Sequence, residues 1–512
     1  MFQRICVFIA LAIALIALTL FTNLRVALAA DQVVNDCSND NELFWDLYAM
    51  ESSGTGGTLT FNCGTVTIVL TRDMPNIARP STIDGGGQIT ISANNGFRFL
   101  VIQAALTLQN ITLTNGYSNK GGLLLVDNGG SLDADNVTLQ NSQATDSGGA
   151  LYVYAGMSAN LSNSIVQGNK AVNYGAGIHN DQATVTLNNV TVSSNKEPVI
   201  GGGIFTYLGT LTLMNVTLSD NVATDDGGGI TSYASAIDLT NVTVSGNAAN
   251  RGGGIFNASG AVTLTNVTFS DNSGAGGGGF WTNNYGSFKN TILLRGVSGV
   301  NCDGIVTNGG FNLSSDDSCN FGAGHDNVNP MLGPLANNGG FTETHLPQTG
   351  SPAIDNGTGN GCPSTDQRGF TRIGQGVACD IGAVEVQNVP PTPTNTPTHT
   401  PTNSAPPATS TPTPPTCTGK PDKPALLTPA NKKKVKGPKI ALDWNDPNCA
   451  TAYDVIVKQG STTGPKAFKK KNLDLSQATT GDLTKGQTYY WRVTAKNSIG
   501  KTNSDWQSFK VK

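Results

Sequence analysis

Two aspartates and an arginine are the residues of this chain whose types and spacing could act together. Aligned on the glycine runs, Asp225 matches Asn250 one repeat later, and Asp226 matches Arg251. Two carboxylates within roughly 5–10 Å can cleave a glycosidic bond, one as acid and the other as base or nucleophile. Carboxylate-held Ca²⁺ beside a basic residue can instead support proton abstraction and elimination. Asp225, Asp226 and Arg251 are therefore the weak catalytic candidates. The expected reading of the same three is turn residues joined by one surface salt bridge. Asp220 and Asp271 fall on non-adjacent repeats, with Gly246 between them. Asp316, Asp317 and Asp380 lie close to cysteines and read as structural. His179 and His345 stand alone, and no Ser-His-Asp or Cys-His grouping is visible. The expectation is a non-catalytic protein without a cofactor. Ca²⁺ stabilising the acidic loops is the metal considered, but the GGxGxD nonapeptide that would specify it is absent.

Those residues sit in a repeat. The leading asparagines are Asn110, Asn136, Asn163, Asn189, Asn215, Asn241, Asn266 and Asn290, at spacings of 26, 27, 26, 26, 26, 25 and 24. A period in the twenties without helical patterning marks a solenoid. In LTLMNVTLSDN, Leu211 and Leu213 alternate, then Val216 and Leu218 alternate with the opposite parity. A straight strand cannot switch faces. The chain must bend at Asn215, leaving two short strands with their apolar sides pointing the same way. A third strand follows each glycine run, as in GGGIFTY around Ile204. Three strands and three bends per repeat describe one coil of a parallel β-helix, right-handed by the general rule for parallel crossovers. Asn189, Asn215, Asn241 and Asn266 are expected to stack as an amide ladder at one bend, and Asn195, Asn221, Asn247 and Asn272 at the next. Several of the first set also open N-x-T sequons. Burial in the ladder favours the structural role over glycosylation.

Bulk composition agrees. Gly is 62 of 512 residues and charged residues are 13%, which excludes a helical protein. The length calls for more than one unit. Residues 1–30 read as a signal peptide, with Arg4, an apolar run from Ile5 to Phe21, and the small-residue site Ala27-Leu28-Ala29. Without Cys6 the chain keeps eight cysteines, and an even number in an exported chain points to disulfides. The expected neighbour pairs are Cys37–Cys63, Cys302–Cys319, Cys362–Cys379 and Cys417–Cys449. Residues 31–387 form the repeat domain. Residues 388–416 carry 10 of the 24 prolines and make an extended spacer reaching roughly 90 Å. Residues 417–512 alternate aromatic and β-branched residues around Trp444, Tyr453–Val457 and Tyr489–Gly500, as a small β-sandwich does, with Trp444 in its core. This last segment holds 18 Lys+Arg against 7 Asp, a balance of +11. The net charge of −4 therefore leaves −15 for the rest. A basic exported module could meet anionic cell-wall polymer, polysaccharide or lipid head groups, or be a solvated surface.

Three resemblances follow from these residues. STIDGGGQITISANNGFRFLVIQAALTLQNITLTNG, NPMLGPLANNGGFTETHLPQTGSPAIDNG (Asn329 to Gly357) and DQRGF…CDIGAVE (Asp366 to Glu385) resemble the opening and the close of the choice-of-anchor Q domain. That likeness spans roughly residues 34–387. It implies an exported right-handed β-helix on the surface of an environmental bacterium, and it carries over no catalytic residue. The GGGI and FSDN repeats resemble those of polymorphic outer-membrane adhesins. The last 95 residues or so resemble a fibronectin type III module, through Trp444, Tyr490-Trp491-Arg492-Val493, Asn497 and Gly500.

Together these readings describe an all-β, exported, monomeric adhesin. Its partners would be polysaccharide, cell wall or matrix and not nucleic acid, and no membrane span would remain after leader removal. The alternative is a polysaccharide lyase or glycoside hydrolase with a basic targeting module.

Overall fold

The computed structural model describes residues 31–372, 378–387 and 420–512, apart from 422, 425, 430, 431, 436, 438, 445–449, 451, 474–476 and 498. The expected signal peptide (1–30), the Pro/Thr segment (388–416) and the expected Cys417–Cys449 pair lie outside the described residues. The chain divides into two compact units, Met1–Thr398 and His399–Lys512.

The first unit is a parallel β-solenoid of about ten coils at roughly 26 residues each. One coil reads Ile204–Tyr207, Thr210–Met214, Thr217–Ser219. Each strand pairs in parallel with its counterpart one coil away, Leu211 with Val185 and Ile237, Leu218 with Val192 and Val244. The core is a column of identical rows, such as Ile178, Ile204, Ile230 and Ile255, all fully buried. At the bend, Asn110, Asn136, Asn163, Asn189, Asn215, Asn241, Asn266 and Asn290 all have φ between 48° and 56°. Asparagine tolerates this left-handed conformation better than other non-glycine residues. One such residue turns the chain and switches the apolar parity.

The two asparagine rows differ in what they hold. Asn189, Asn215, Asn241 and Asn266 do not form one continuous ladder. Asn241 donates to Asn215, but Asn215 reaches Asn188, Asn189 reaches Asn163, and Asn266 donates to the carbonyls of Asp380 and Gly382. Asn136 is exposed, and burial of this row is confined to Asn241, Asn266 and Asn290. Here the amides link in pairs, Asn136 to Asn110, Asn189 to Asn163, Asn241 to Asn215 and Asn290 to Asn266, while the feature common to the whole row is the backbone conformation of the bend. The unbroken ladder is the second row. Asn169, Asn195, Asn221, Asn247 and Asn272 are buried, and each Oδ1 from Asn195 onward accepts both the backbone N–H and the Nδ2 of the asparagine one coil earlier.

The column is closed at its start. There the helix Asn41–Ser52 buries Leu43, Leu47 and Met50 against the first coil. It is a small departure from the all-β expectation, and the i, i+4, i+7 spacing explains it. Disulfides join Cys37–Cys63, Cys302–Cys319 and Cys362–Cys379. Three disulfides indicate an oxidising compartment. Among the described residues no helix is long and apolar enough to cross a membrane.

After the last coil the chain returns along the solenoid as a strap. The antiparallel pair Leu332–Ala336 and Thr344–Pro347 begins it. Thr217 and Thr243, equivalent positions on successive coils, bond Gln367 and the Glu343 carbonyl, and Thr268 accepts the Ala383 N–H. Asp366 holds Arg368 and the N–H groups of Arg368, Phe370 and Glu385, while buried Arg372 pairs with Glu385 at 3.0 Å. The DQRGF and CDIGAVE segments are thus the strap's fastenings.

Among its described residues the second unit holds one three-stranded and one six-stranded sheet. Leu442 and Trp444 of the first, and Val455, Trp491, Val493 and Phe509 of the second, share one apolar core.

Candidate functional site

The strand after each glycine run turns alternate residues away from the core. In register on successive coils these outward positions are Tyr152, His179, Phe205, Thr231, Phe256 and Trp281. A second outward row is Asp181, Tyr207 and Tyr233. The result is an aromatic band running along the solenoid. Ring centroids lie 4.4 Å apart for Tyr152–His179, 4.8 Å for His179–Phe205 and 4.3 Å for the stacked pair Phe256–Trp281.

The glycines make room for it. Gly201 has φ +74, and a Cβ there would stand 2.9 Å from the Phe205 Cβ; at Gly148 a Cβ would stand 3.0 Å from the Tyr152 Cβ. A side chain at either position would push the aromatic off the sheet. The recurring glycines therefore serve the outward rings as well as the turn.

At the centre of the band the surface opens into a cleft of about 480 Å³. Its floor is Tyr152, His179 and Phe205, and its rim carries Lys120, Asp146, Asp181, Tyr174, Tyr207 and Tyr233. Tyr174 and Tyr207 are 38% and 41% exposed, whereas the floor residues are buried. Lys120 Nζ lies 4.7 Å from the Tyr152 ring centroid and 4.9 Å from that of Tyr154, and donates to the Tyr152 hydroxyl at 3.2 Å. The Tyr152 hydroxyl donates to Asp181 at 2.7 Å. Burial, reinforced by that bond to Asp181, pushes the Tyr152 phenol far above its ordinary value. Tyr152 is held protonated, a donor and not a base.

Burial pushes the His179 imidazole down to about 4, against the pull of Asp181. It is neutral at pH 7, and its buried Nδ1 has no hydrogen-bond partner. The sign of the linked stability follows. Between pH 6.5 and 4 the unfolded chain binds a proton at this position and the folded chain does not, so stability is full above pH 6.5 and is lost as pH falls towards 4. His179→Phe removes this titration. Lowering the pH from 7 to 4.5 should cost the wild type roughly 2 kcal/mol more than the variant. Urea midpoints of both proteins at the two pH values measure this, and parallel pH slopes would show that His179 does not titrate as described.

Asp225, Asp226 and Arg251 lie elsewhere. Arg251 grips buried Asp226 through two bonds of 2.8 and 2.9 Å and covers the Phe256 and Trp281 rings. The Tyr233 hydroxyl donates to Asp226 at 3.2 Å, and burial pushes that phenol up to about 12. Asp225 is exposed. None of the three lines the cleft. The pair braces the band and leaves no free carboxylate couple. His345 is not alone: its Nε2 meets Ser245 Oγ at 2.8 Å and its Nδ1 meets the Gly333 carbonyl at 2.7 Å. Both side chains are buried where the strap meets the solenoid. Among the described residues no cluster of His, Cys, Asp or Glu could hold a metal.

The aromatic band was missed in the sequence. Its signal is the residue after the apolar one that follows each glycine run, in GGALYVY, GAGIHND, GGGIFTY, GGGIFNA and GGGGFWT.

Comparison with family models gives no match. A titin homolog of Caenorhabditis elegans is 35% identical over 69 residues, which is 14% of this chain and 0% of that protein's length. The chain thus spans a negligible part of that relative, and the likeness carries no statement of activity.

Proposed function

We propose that this is an exported, extracellular or surface-held glycan-binding protein whose ligand lies in the aromatic cleft. In this reading the solenoid is a right-handed parallel β-helix of the choice-of-anchor Q kind. The Pro/Thr segment spaces it from a fibronectin type III-like accessory module, and the whole acts as an adhesin. The carrying observation is the outward aromatic band opening into a cleft rimmed by Tyr174, Tyr207 and Tyr233. Flat rings suit the apolar faces of sugar rings, and the phenols, Lys120, Asp146 and Asp181 can exchange hydrogen bonds with their hydroxyls. With one cation against two carboxylates, the cleft favours a neutral glycan. The solenoid repeats every 4.8 Å or so along its axis, so equivalent positions can meet successive sugars. The three disulfides support export.

Cleavage finds less support. The Lys120–Tyr152–Asp181 chain has acid–base residue types, but it holds the phenol protonated, and Asp181 is already occupied.

The test is affinity for a neutral polysaccharide. Tyr174→Ala/Tyr207→Ala removes two exposed rings at roughly 1–2 kcal/mol each, so binding should weaken at least tenfold. Trp45→Ala/Tyr48→Ala removes two exposed rings from the N-terminal helix and should change nothing. Equal behaviour of the two double variants would reject the cleft as the binding site.

A further inference from the structure

The second unit carries a site of opposite chemistry. In its six-stranded sheet, Tyr453, Val455 and Val457 face the core, as do Tyr489, Trp491 and Val493. The alternate residues Ile456, Lys458, Tyr490 and Arg492 face outward. Across a bulge the register sets Lys458 opposite Lys466, and places Ile456 between Lys469 on one side and Arg492 on the other. Like charges directly opposite one another destabilise a sheet. Among the described residues no carboxylate pairs with Lys458, Lys466, Lys469 or Arg492, and Asp454, on the same face, is taken by Lys496 at 2.5 Å. Half-buried Trp506 lies beside them, its ring centroid 4.9 Å from the Arg492 guanidinium carbon and 5.8 Å from Lys458 Nζ. Buried Arg492 Nε has no hydrogen-bond partner.

Edge protection explains part of this. Lys466–Leu473 is the outermost strand, and lysines there discourage sheet-to-sheet pairing. It does not explain Lys458 and Arg492, which stand on inner strands where no edge exists.

We propose that this face, built from Lys458, Lys466, Lys469 and Arg492 around Trp506, binds an acidic polysaccharide bearing carboxylates or sulfates. Strand spacing sets Lys458 and Lys466 about 5 Å apart and Lys469 and Arg492, either side of Ile456, about 10 Å apart, a span that can meet charges on one sugar and the next, and Trp506 offers a ring beside them. A membrane surface is the poorer fit. Among the described residues of this unit Ile499 is the sole large exposed hydrophobic, which offers a bilayer little apolar surface to receive. The site is independent of the solenoid cleft.

The experiment uses the full mature chain and immobilised polygalacturonate, at several salt concentrations. Binding should weaken as salt rises. Lys458→Gln/Lys469→Gln/Arg492→Gln alters solvent-facing side chains and should lose roughly a hundredfold in affinity, at about 1 kcal/mol per cation. Lys432→Gln/Lys433→Gln/Lys434→Gln removes the same charge from another part of the unit and should change affinity only a few-fold. Tyr174→Ala/Tyr207→Ala should bind polygalacturonate like the wild type, which separates this site from the cleft. Equal losses in the two triple variants, absence of binding, or tighter capture by duplex DNA or by phosphatidylglycerol vesicles would each overturn the proposal.

Discussion

Replacing Asn221 by alanine should cost the solenoid roughly 4 kcal/mol, at about 1 kcal/mol for each buried hydrogen bond lost. Four are lost. Asn221 Oδ1 accepts the backbone N–H of Asn195 at 3.1 Å and its Nδ2 at 2.9 Å, and Asn221 Nδ2 donates to the Val192 carbonyl at 2.8 Å and to Asn247 Oδ1 at 3.0 Å. All lie inside the coil, where Asn195 and Asn221 have no exposed surface. Water cannot take over these bonds unless the coils part. Asn136 is the comparator. It is exposed, its amide reaches only Asn110 at 2.9 Å, and its φ is 54°. Asn136→Ala should cost about 1–2 kcal/mol, for a left-handed backbone, and Asn136→Gly still less. Because each coil is supported by its neighbours, hydrogen exchange should show Asn221→Ala opening locally around residues 192–247. Denaturant midpoints give the overall cost. A cost for Asn221→Ala no greater than for Asn136→Ala would remove the ladder as a main source of cohesion.

The second large effect lies in the strap. Arg372→Met should destabilise its docking by about 3–5 kcal/mol, the usual consequence of leaving a buried charge without its partner. Arg372 and Glu385 are each about 1% exposed. The Arg372 guanidinium also bonds Asn241 Oδ1 at 3.1 Å and the Gly382 carbonyl at 2.9 Å, tying the strap to the bend row. Burial pushes the Glu385 carboxyl up, and the Asp380 N–H and Arg372 hold it back. Without Arg372 that restraint is lost. Adding Glu385→Gln should recover much of the loss, because a neutral amide can still accept the Asp380 N–H. The readout is protease cleavage within residues 340–387. The single variant should be cut far faster than the wild type and the double variant at an intermediate rate. If the single variant resists cleavage like the wild type, the ion pair does not fasten the strap.

The solenoid was legible because its bends demand specific backbone conformations. Positive φ favours asparagine and glycine over other residues, so Asn189, Asn215 and Asn241 recur at the bend although their amides make no continuous chain of bonds. Expecting those amides to form the continuous ladder confused a backbone requirement with a side-chain one. The row at Asn195, Asn221 and Asn247 is the reverse case, in which the buried amide itself is required. The aromatic band escaped notice for a different reason. Tyr152, His179, Phe205 and Phe256 are buried by one another, so their types read as core although they face outward. The strap was recognisable as a motif, but its docking was not. Nothing local in FTETHLPQTG says that His345 meets Ser245, a hundred positions earlier. Asp226 and Arg251 were correctly brought together by aligning glycine runs, and their geometry makes them a brace.

The most direct test of the central claim is a neutral-glycan array probed with the mature protein and with Tyr174→Ala/Tyr207→Ala, read beside a reducing-end and unsaturated-product assay on the same polysaccharides. The account predicts binding that the double variant loses, with no product from either protein. Binding that survives the loss of both rings, or product released from a bound glycan, would contradict it.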